Sequence, residues 1–288
     1  MTADPGLIDA HVHLWNLAAR PQPWLELPGH EPLLRDYTVA DLAPLTTAAG
    51  VAAAVVVQTV AEPGETPGLL AIAAAAGPVA AVVGWIDLTA PDPAGAIAEL
   101  RSSPGGEFLR GIRHPVLIEP DPDWLRRPDV HRGLTAVGSA GLAYDVVVPP
   151  DVLAAATDAA AACPGLVFVL DHLGNPDVDG RRPDELWLTD LRAFAALPNT
   201  VCKLSGILGV PPPPGHHGVG HLVPYFGAAL EEFGPDRLMF GSDWPPCTLS
   251  ASYADVLSAA LTLTADLSQI ERAAIFGGTA RRVYGLPG

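Results

Sequence analysis

Short apolar runs recur eight times along this chain, and most neighbouring pairs are separated by a helix-forming segment. The runs are LIDAHVH (7–13), VAAAVVVQ (51–58), VAAVVGWIDL (79–88), FLRGIRHPV (108–116), LAYDVVV (142–148), GLVFVLDH (165–172), TVCKLSG (200–206) and RLMFGSD (237–243). Each is nearly continuous in hydrophobicity, as a parallel strand covered on both faces should be. Intervening stretches such as PAGAIAELRS and PDVLAAATDAAAAC open with proline or aspartate, residues suited to a first helical turn. Eight strand–helix units predict an α/β chain folded as a (β/α)8 TIM barrel, with residues 1–288 forming one domain. An open doubly wound sheet is the alternative, but no G-x-G-x-x-G follows the first strand.

Composition narrows the function. Apolar residues make up 49% of the chain, enough for a large core, and the net charge is −16. So acidic a chain has no basic stripe with which to neutralise phosphates, so no nucleic-acid partner is expected. Cys163, Cys202 and Cys247 are widely spaced and fit a reducing, cytoplasmic setting better than a disulfide framework or a thiolate zinc site. The opening residues carry no basic n-region, so no signal peptide is expected. Thr66 to Ile86 is uncharged and long enough to span a bilayer, but Gly77-Pro78 interrupts it. It is expected to be an alanine-rich helix followed by a buried strand, with no membrane partner.

Barrel enzymes place their chemistry at the C-terminal ends of the strands, where the polar residues of these runs fall. His11 and His13 sit one residue apart, so both side chains face the same way. Asp243 follows the last apolar run, next to strand one in a closed barrel. Of Asp171 and His172, only one should point at the axis, and His172 is the expected one. Three imidazoles and a carboxylate form an N/O set suited to Zn²⁺ or a similar divalent ion. Lys203 is the only lysine, and it stands inside an apolar strand. A buried ammonium is costly unless a partner or cavity solvates it, so it is expected to donate to a substrate oxygen. Of Arg113 and His114, one should face inward; an arginine there supplies a forked donor for an oxyanion or vicinal hydroxyls, a structural ion pair with one of the many carboxylates being an equal alternative. Trp85 and Trp244 are expected to line the substrate. The tract GVPPPPGHHGVGH (209–221) is expected to be a stiff loop over the mouth, a metal-binding tract being the alternative.

IDAHVHLW, GIRHPV, FVLDHLGNP, CKLSG, FGPDRLMFGSDWP and IFGGTARRVYGL together resemble the amidohydrolase-related branch of the amidohydrolase superfamily. More narrowly they are similar to its L-fuconolactonase and L-rhamnonolactonase-like sugar lactonases. The resemblance runs in order from residue 7 to 286. It implies a distorted barrel with His11, His13, His172 and Asp243 around one divalent metal ion, with zinc first and dispensable in some members. The small-molecule substrate would be a 1,4- or 1,5-lactone, opened by a water that Asp243 deprotonates, while Lys203, Arg113 or His114 steadies the oxyanion. A pyrone-dicarboxylate hydrolase or metal-dependent decarboxylase on the same barrel is the alternative, and a non-catalytic binder a third. No G-x-S-x-G elbow is present, which disfavours an acyl-enzyme. Assembly as a homo-oligomer is an open expectation.

Overall fold

The computed structural model describes residues 6–75, 77–179, 182–212 and 218–287. Eight parallel strands lie side by side in chain order: β1 (Leu7–Val12), β2 (Val51–Val57), β3 (Val79–Gly84), β4 (Leu109–Pro115), β5 (Ala143–Val147), β6 (Phe168–Leu170), β7 (Thr200–Leu204) and β8 (Leu238–Phe240). Helices α1 (Val39–Ala49), α2 (Glu65–Ala74), α3 (Pro93–Ser102), α4 (Pro128–Ser139), α5 (Leu153–Ala162), α6 (Glu185–Ala195), α7 (Val223–Phe233) and α8 (Tyr253–Leu263) follow the strands in turn. Two short helices, α9 (Gln269–Ala273) and α10 (Thr279–Tyr284), end the chain. This is the (β/α)8 barrel the alternation predicts.

Both faces of each strand are buried, which accounts for the unbroken hydrophobicity. Along β2, Val55 and Val57 face the barrel interior with Ala81, Val83, Val169, Val201 and Met239, while Ala54 and Val56 face the helices. Each fully buried valine is worth roughly 1.5 kcal/mol or more over an exposed one. Ala280, Tyr284 and Leu286, from α10 and the residues after it, join the interior cluster beside Ile8, so the C-terminal segment plugs the end of the barrel where β1 begins.

The seam between β1 and β8 is stitched at the opposite rim. There the Asp243 N–H donates to the His11 carbonyl at 2.9 Å and the His13 N–H to the Trp244 carbonyl at 2.7 Å. The uncharged stretch divides as expected, into α2 and β3 on either side of Gly77-Pro78. Among the described residues no helix is long and apolar enough to cross a membrane.

Candidate active site

The two N-terminal histidines reach the centre because β1 bulges. Asp9 pairs with Ala54 and Val12 with Val56, so Ala10 and His11 together oppose the single residue Val55. Bulges re-aim side chains and are common beside active sites. Here Ala10 and His11 both turn inward and Val12 turns out. The His11 N–H donates to Asp9 Oδ1 at 3.1 Å, and the same oxygen accepts from the Ser242 N–H at 2.8 Å. Asp9 Oδ2 accepts from the Tyr253 hydroxyl of α8 at 2.9 Å. A buried carboxylate therefore ties β1 to the strand-eight loop. Gly241 is required there, because a Cβ would stand 2.7 Å from His11 Cβ.

His172 reaches the centre by a different route. β6 ends at Leu170, and Asp171, next in the inward register after Val169, points down the barrel axis. His172 and Leu173 then take left-handed backbone (φ 54° and 56°), which swings the imidazole back over the mouth. The expectation that only one of Asp171 and His172 could face the axis is thus corrected, since the turn lets both do so. His172 Nδ1 lies 2.8 Å from Ser205 Oγ, and its ring centroid is 4.6 Å from that of His11. Gly206 leaves room for it, since a Cβ there would sit 2.8 Å from His172 Cβ.

Asp243, itself left-handed at φ 58°, faces all three imidazoles. Its Oδ1 lies 3.5 Å from His13 Nε2, 3.7 Å from His11 Nε2 and 4.0 Å from His172 Nε2. One donor atom each from His11, His172 and Asp243 falls within 4.8 Å of the others. His13 Nδ1–H is spent on the Val57 carbonyl at 2.8 Å, which leaves its Nε2 lone pair facing the same point. Neutral imidazole nitrogens and a carboxylate are the donors zinc prefers, so this set fits a divalent ion. Burial would raise the Asp243 carboxyl, but His172, His13 and His11 outweigh it and hold the group well below the usual carboxylate range.

A charged layer lies beneath the histidines. Lys203 Nζ is fully buried and contacts Asp145 Oδ2 at 2.5 Å, Asp171 Oδ1 at 3.1 Å and His11 Nδ1 at 3.1 Å. Arg113 Nη1 donates to Asp171 Oδ2 at 3.0 Å and lies 3.5 Å from His11 Nε2, while Nη2 donates to the Gln58 carbonyl. The Tyr284 hydroxyl donates to Asp145. Two cations and two carboxylates thus balance below the mouth. Burial pushes the Asp145 carboxyl up against the pull of Lys203, whereas at Asp171 the nearby Lys203, His11 and Arg113 overcome burial and hold it well down.

Several expected positions differ. Lys203 lies under the mouth with its hydrogens already engaged, so it is not an open donor. Arg113 and His114 are both buried, and Arg113 is the inward one. His114 accepts from Trp85 Nε1–H at 3.0 Å, lies 2.7 Å from Glu119 Oε1 and stacks on Trp124 at 4.2 Å. Trp85 is buried, 9% exposed, and Trp244, 3% exposed, is packed edge-on against Tyr37. Residues 213–217 of the proline-histidine tract, His216 and His217 among them, lie outside the described residues. His221 Nε2 lies 3.0 Å from the Val210 carbonyl. Asp9, Asp145 and Tyr284 did not stand out in the sequence, although Asp145 in LAYDVVV is a charge inside an apolar strand, the feature that singled out Lys203.

Burial lowers the pKa of His11, with Lys203 adding to the effect, and likewise lowers that of His172. Both therefore bind protons less readily folded than unfolded, where a histidine titrates near about 6.5. Below that pH the unfolded chain takes up protons that the native state refuses, so stability falls as pH drops. The fall in urea midpoint from pH 7.5 to pH 5 should be larger in chelator-treated wild-type protein than in His172→Gln, a comparison in which the raised Asp145 carboxyl, acting the other way, cancels; equal pH responses would contradict this environment.

Comparison with known proteins identifies the family. The amidohydrolase family profile matches residues 8–286. The chain is 40% identical to an L-fucono-1,5-lactonase of Burkholderia multivorans, over 97% of this chain and 96% of that protein. It is 36% identical to an L-fucono-1,5-lactonase of Burkholderia ambifaria, over 96% and 94%. A crystal structure of an amidohydrolase from Burkholderia multivorans with bound zinc superposes with a TM-score of 0.88 at 38% identity, covering 98% of this chain and 99% of that one. With a profile match over nearly its whole length and relatives this similar, the chain belongs to the amidohydrolase family.

Proposed function

We propose that this protein is a sugar lactonase that hydrolyses the ester of an aldonolactone, with L-fucono-1,5-lactone as the first substrate to test. The observation that carries the reading is Asp243 Oδ1 at the barrel mouth within 3.5–4.0 Å of three imidazole nitrogens, in a chain whose similar relatives carry that activity. Asp243, ionised at neutral pH, takes a proton from a water positioned beside His13 and His172. The oxygen bonds to the lactone carbonyl carbon, and Arg113 Nη1 donates to the oxyanion, a contribution of several kcal/mol in acyl transfer. Asp243 returns the proton to the ring oxygen as the C–O bond breaks, giving a hydroxy acid. Arg113 and His11 thus lie on the carbonyl side of the substrate, with Trp85 flanking it. A divalent ion, zinc in the first instance, held by His11, His13, His172 and Asp243 would supply a Lewis acid that polarises the carbonyl and lowers the water's pKa.

A pyrone-dicarboxylate hydrolase would need uncompensated cations for its substrate's carboxylates. Arg113 and Lys203 are already matched by Asp171 and Asp145, which favours an uncharged lactone. The three cysteines, buried and unpaired, support a cytoplasmic setting. A panel of aldonolactones and 2-pyrone-4,6-dicarboxylate assayed by proton release, with and without chelator, tests the proposal. Turnover of at least one aldonolactone is expected, and a protein that opens only the pyrone, or nothing, would overturn it.

A further inference from the structure

The hydrogen on His11 has its place set from below. A neutral imidazole carries one N–H and one lone pair, and an ammonium can only donate. His11 Nδ1 faces Lys203 Nζ at 3.1 Å, so that nitrogen accepts. The hydrogen of His11 is left to Nε2, which lies 3.1 Å from His13 Nε2. His13 is complementary, because its own hydrogen goes to the Val57 carbonyl and its Nε2 is free to accept. From this relay we infer that Lys203 is a positioning residue that holds His11 as the Nε2–H tautomer in the metal-free protein, so that a divalent ion gains His11 as a ligand only by displacing that hydrogen.

Two groups oppose this arrangement. Arg113 Nη1, which can only donate, lies 3.5 Å from His11 Nε2, a longer and weaker contact than that of Lys203 with Nδ1. Asp171 Oδ1 lies 3.4 Å from His11 Nδ1 and would favour a hydrogen there. The ammonium is closer, and it is anchored by Asp145 at 2.5 Å, which is held in turn by the Tyr284 hydroxyl of α10. Ligating histidines ordinarily present their second nitrogen as a donor to a carboxylate or carbonyl, which raises their basicity. A cation in that place does the reverse: moving the hydrogen to Nδ1 would aim it at Lys203. The choice is between two tautomers of one charge state. Lys203 thereby weakens the hold of this site on zinc, and the last helix of the chain acts on the mouth through Asp145.

The inference rests on His11 and His13 facing the centre, as in the proposed function, but its readouts need no turnover and can fail while the lactonase reading stands. Long-range ¹H–¹⁵N correlation spectra of the chelator-treated protein at pH 7.5 should show His11 protonated at Nε2 and bare at Nδ1. In Lys203→Met the hydrogen should move to Nδ1, toward Asp171. Zinc affinity measured by calorimetry should rise about tenfold or more, the usual scale for a partner behind a ligating histidine. Because Lys203→Met leaves Asp145 unmatched, the Lys203→Met/Asp145→Asn protein serves where the single variant does not fold. A wild-type His11 carrying its hydrogen on Nδ1, or unchanged zinc affinity in whichever variant folds, overturns the inference.

Discussion

Asp243→Asn should lower kcat for lactone hydrolysis by about 10³-fold, the scale set by loss of a positioned proton carrier. The side chains are nearly the same size, and asparagine tolerates the left-handed backbone of residue 243. The seam bond to the His11 carbonyl comes from the main chain and survives the change. What disappears is an oxygen that can accept a proton from water, and with it the negative charge among three imidazoles. Because that transfer occurs on the way to the transition state, kcat should carry the loss while KM moves only a few-fold. Steady-state proton-release kinetics measure both. A variant with wild-type kcat would remove Asp243 from the chemistry.

The second large effect concerns stability. Asp145→Ala leaves the fully buried Lys203 without its closest counter-charge. Breaking a buried ion pair from one side costs about 3–5 kcal/mol, enough to lower the melting temperature by about 10 °C in a chain of this size. Tyr284→Phe removes one hydrogen bond to Asp145 and should cost only about 1 kcal/mol. Adding Lys203→Met to Asp145→Ala removes the stranded charge and should recover part of the loss. Thermal unfolding of the four proteins checks the series, and a melting temperature for Asp145→Ala within a degree of wild type would contradict a matched pair at the barrel floor.

The barrel was legible because β-strand burial on two faces writes itself into sequence as continuous apolar runs, and the eight runs match the eight strands. The polar ends of those runs were legible too, and four of them, His11, His13, His172 and Asp243, converge. Less legible was how they converge. Simple alternation along β1 puts Ala10 and His11 on opposite faces, and only the bulge opposite Val55 turns both inward. Alternation through β6 likewise forces a choice between Asp171 and His172, which the left-handed turn removes. Lys203 was singled out correctly as costly to bury, but its partners are the carboxylates of β5 and β6 rather than a ligand. The pairing of Lys203 with Asp145 joins strands far apart in sequence and leaves no local pattern; Asp145 shows the same charge inside an apolar strand, but nothing in the sequence marks it as the partner of Lys203 or Tyr284 as the group behind it.

The most direct measurement of the central claim is a crystal structure of the Asp243→Asn protein with an unreacted aldonolactone. The lactone should lie in the barrel mouth, its carbonyl oxygen on the Arg113 and His11 side, with a water between residue 243 and the carbonyl carbon. A lactone bound elsewhere, or one whose carbonyl faces away from residue 243 with no room for water between them, would contradict it.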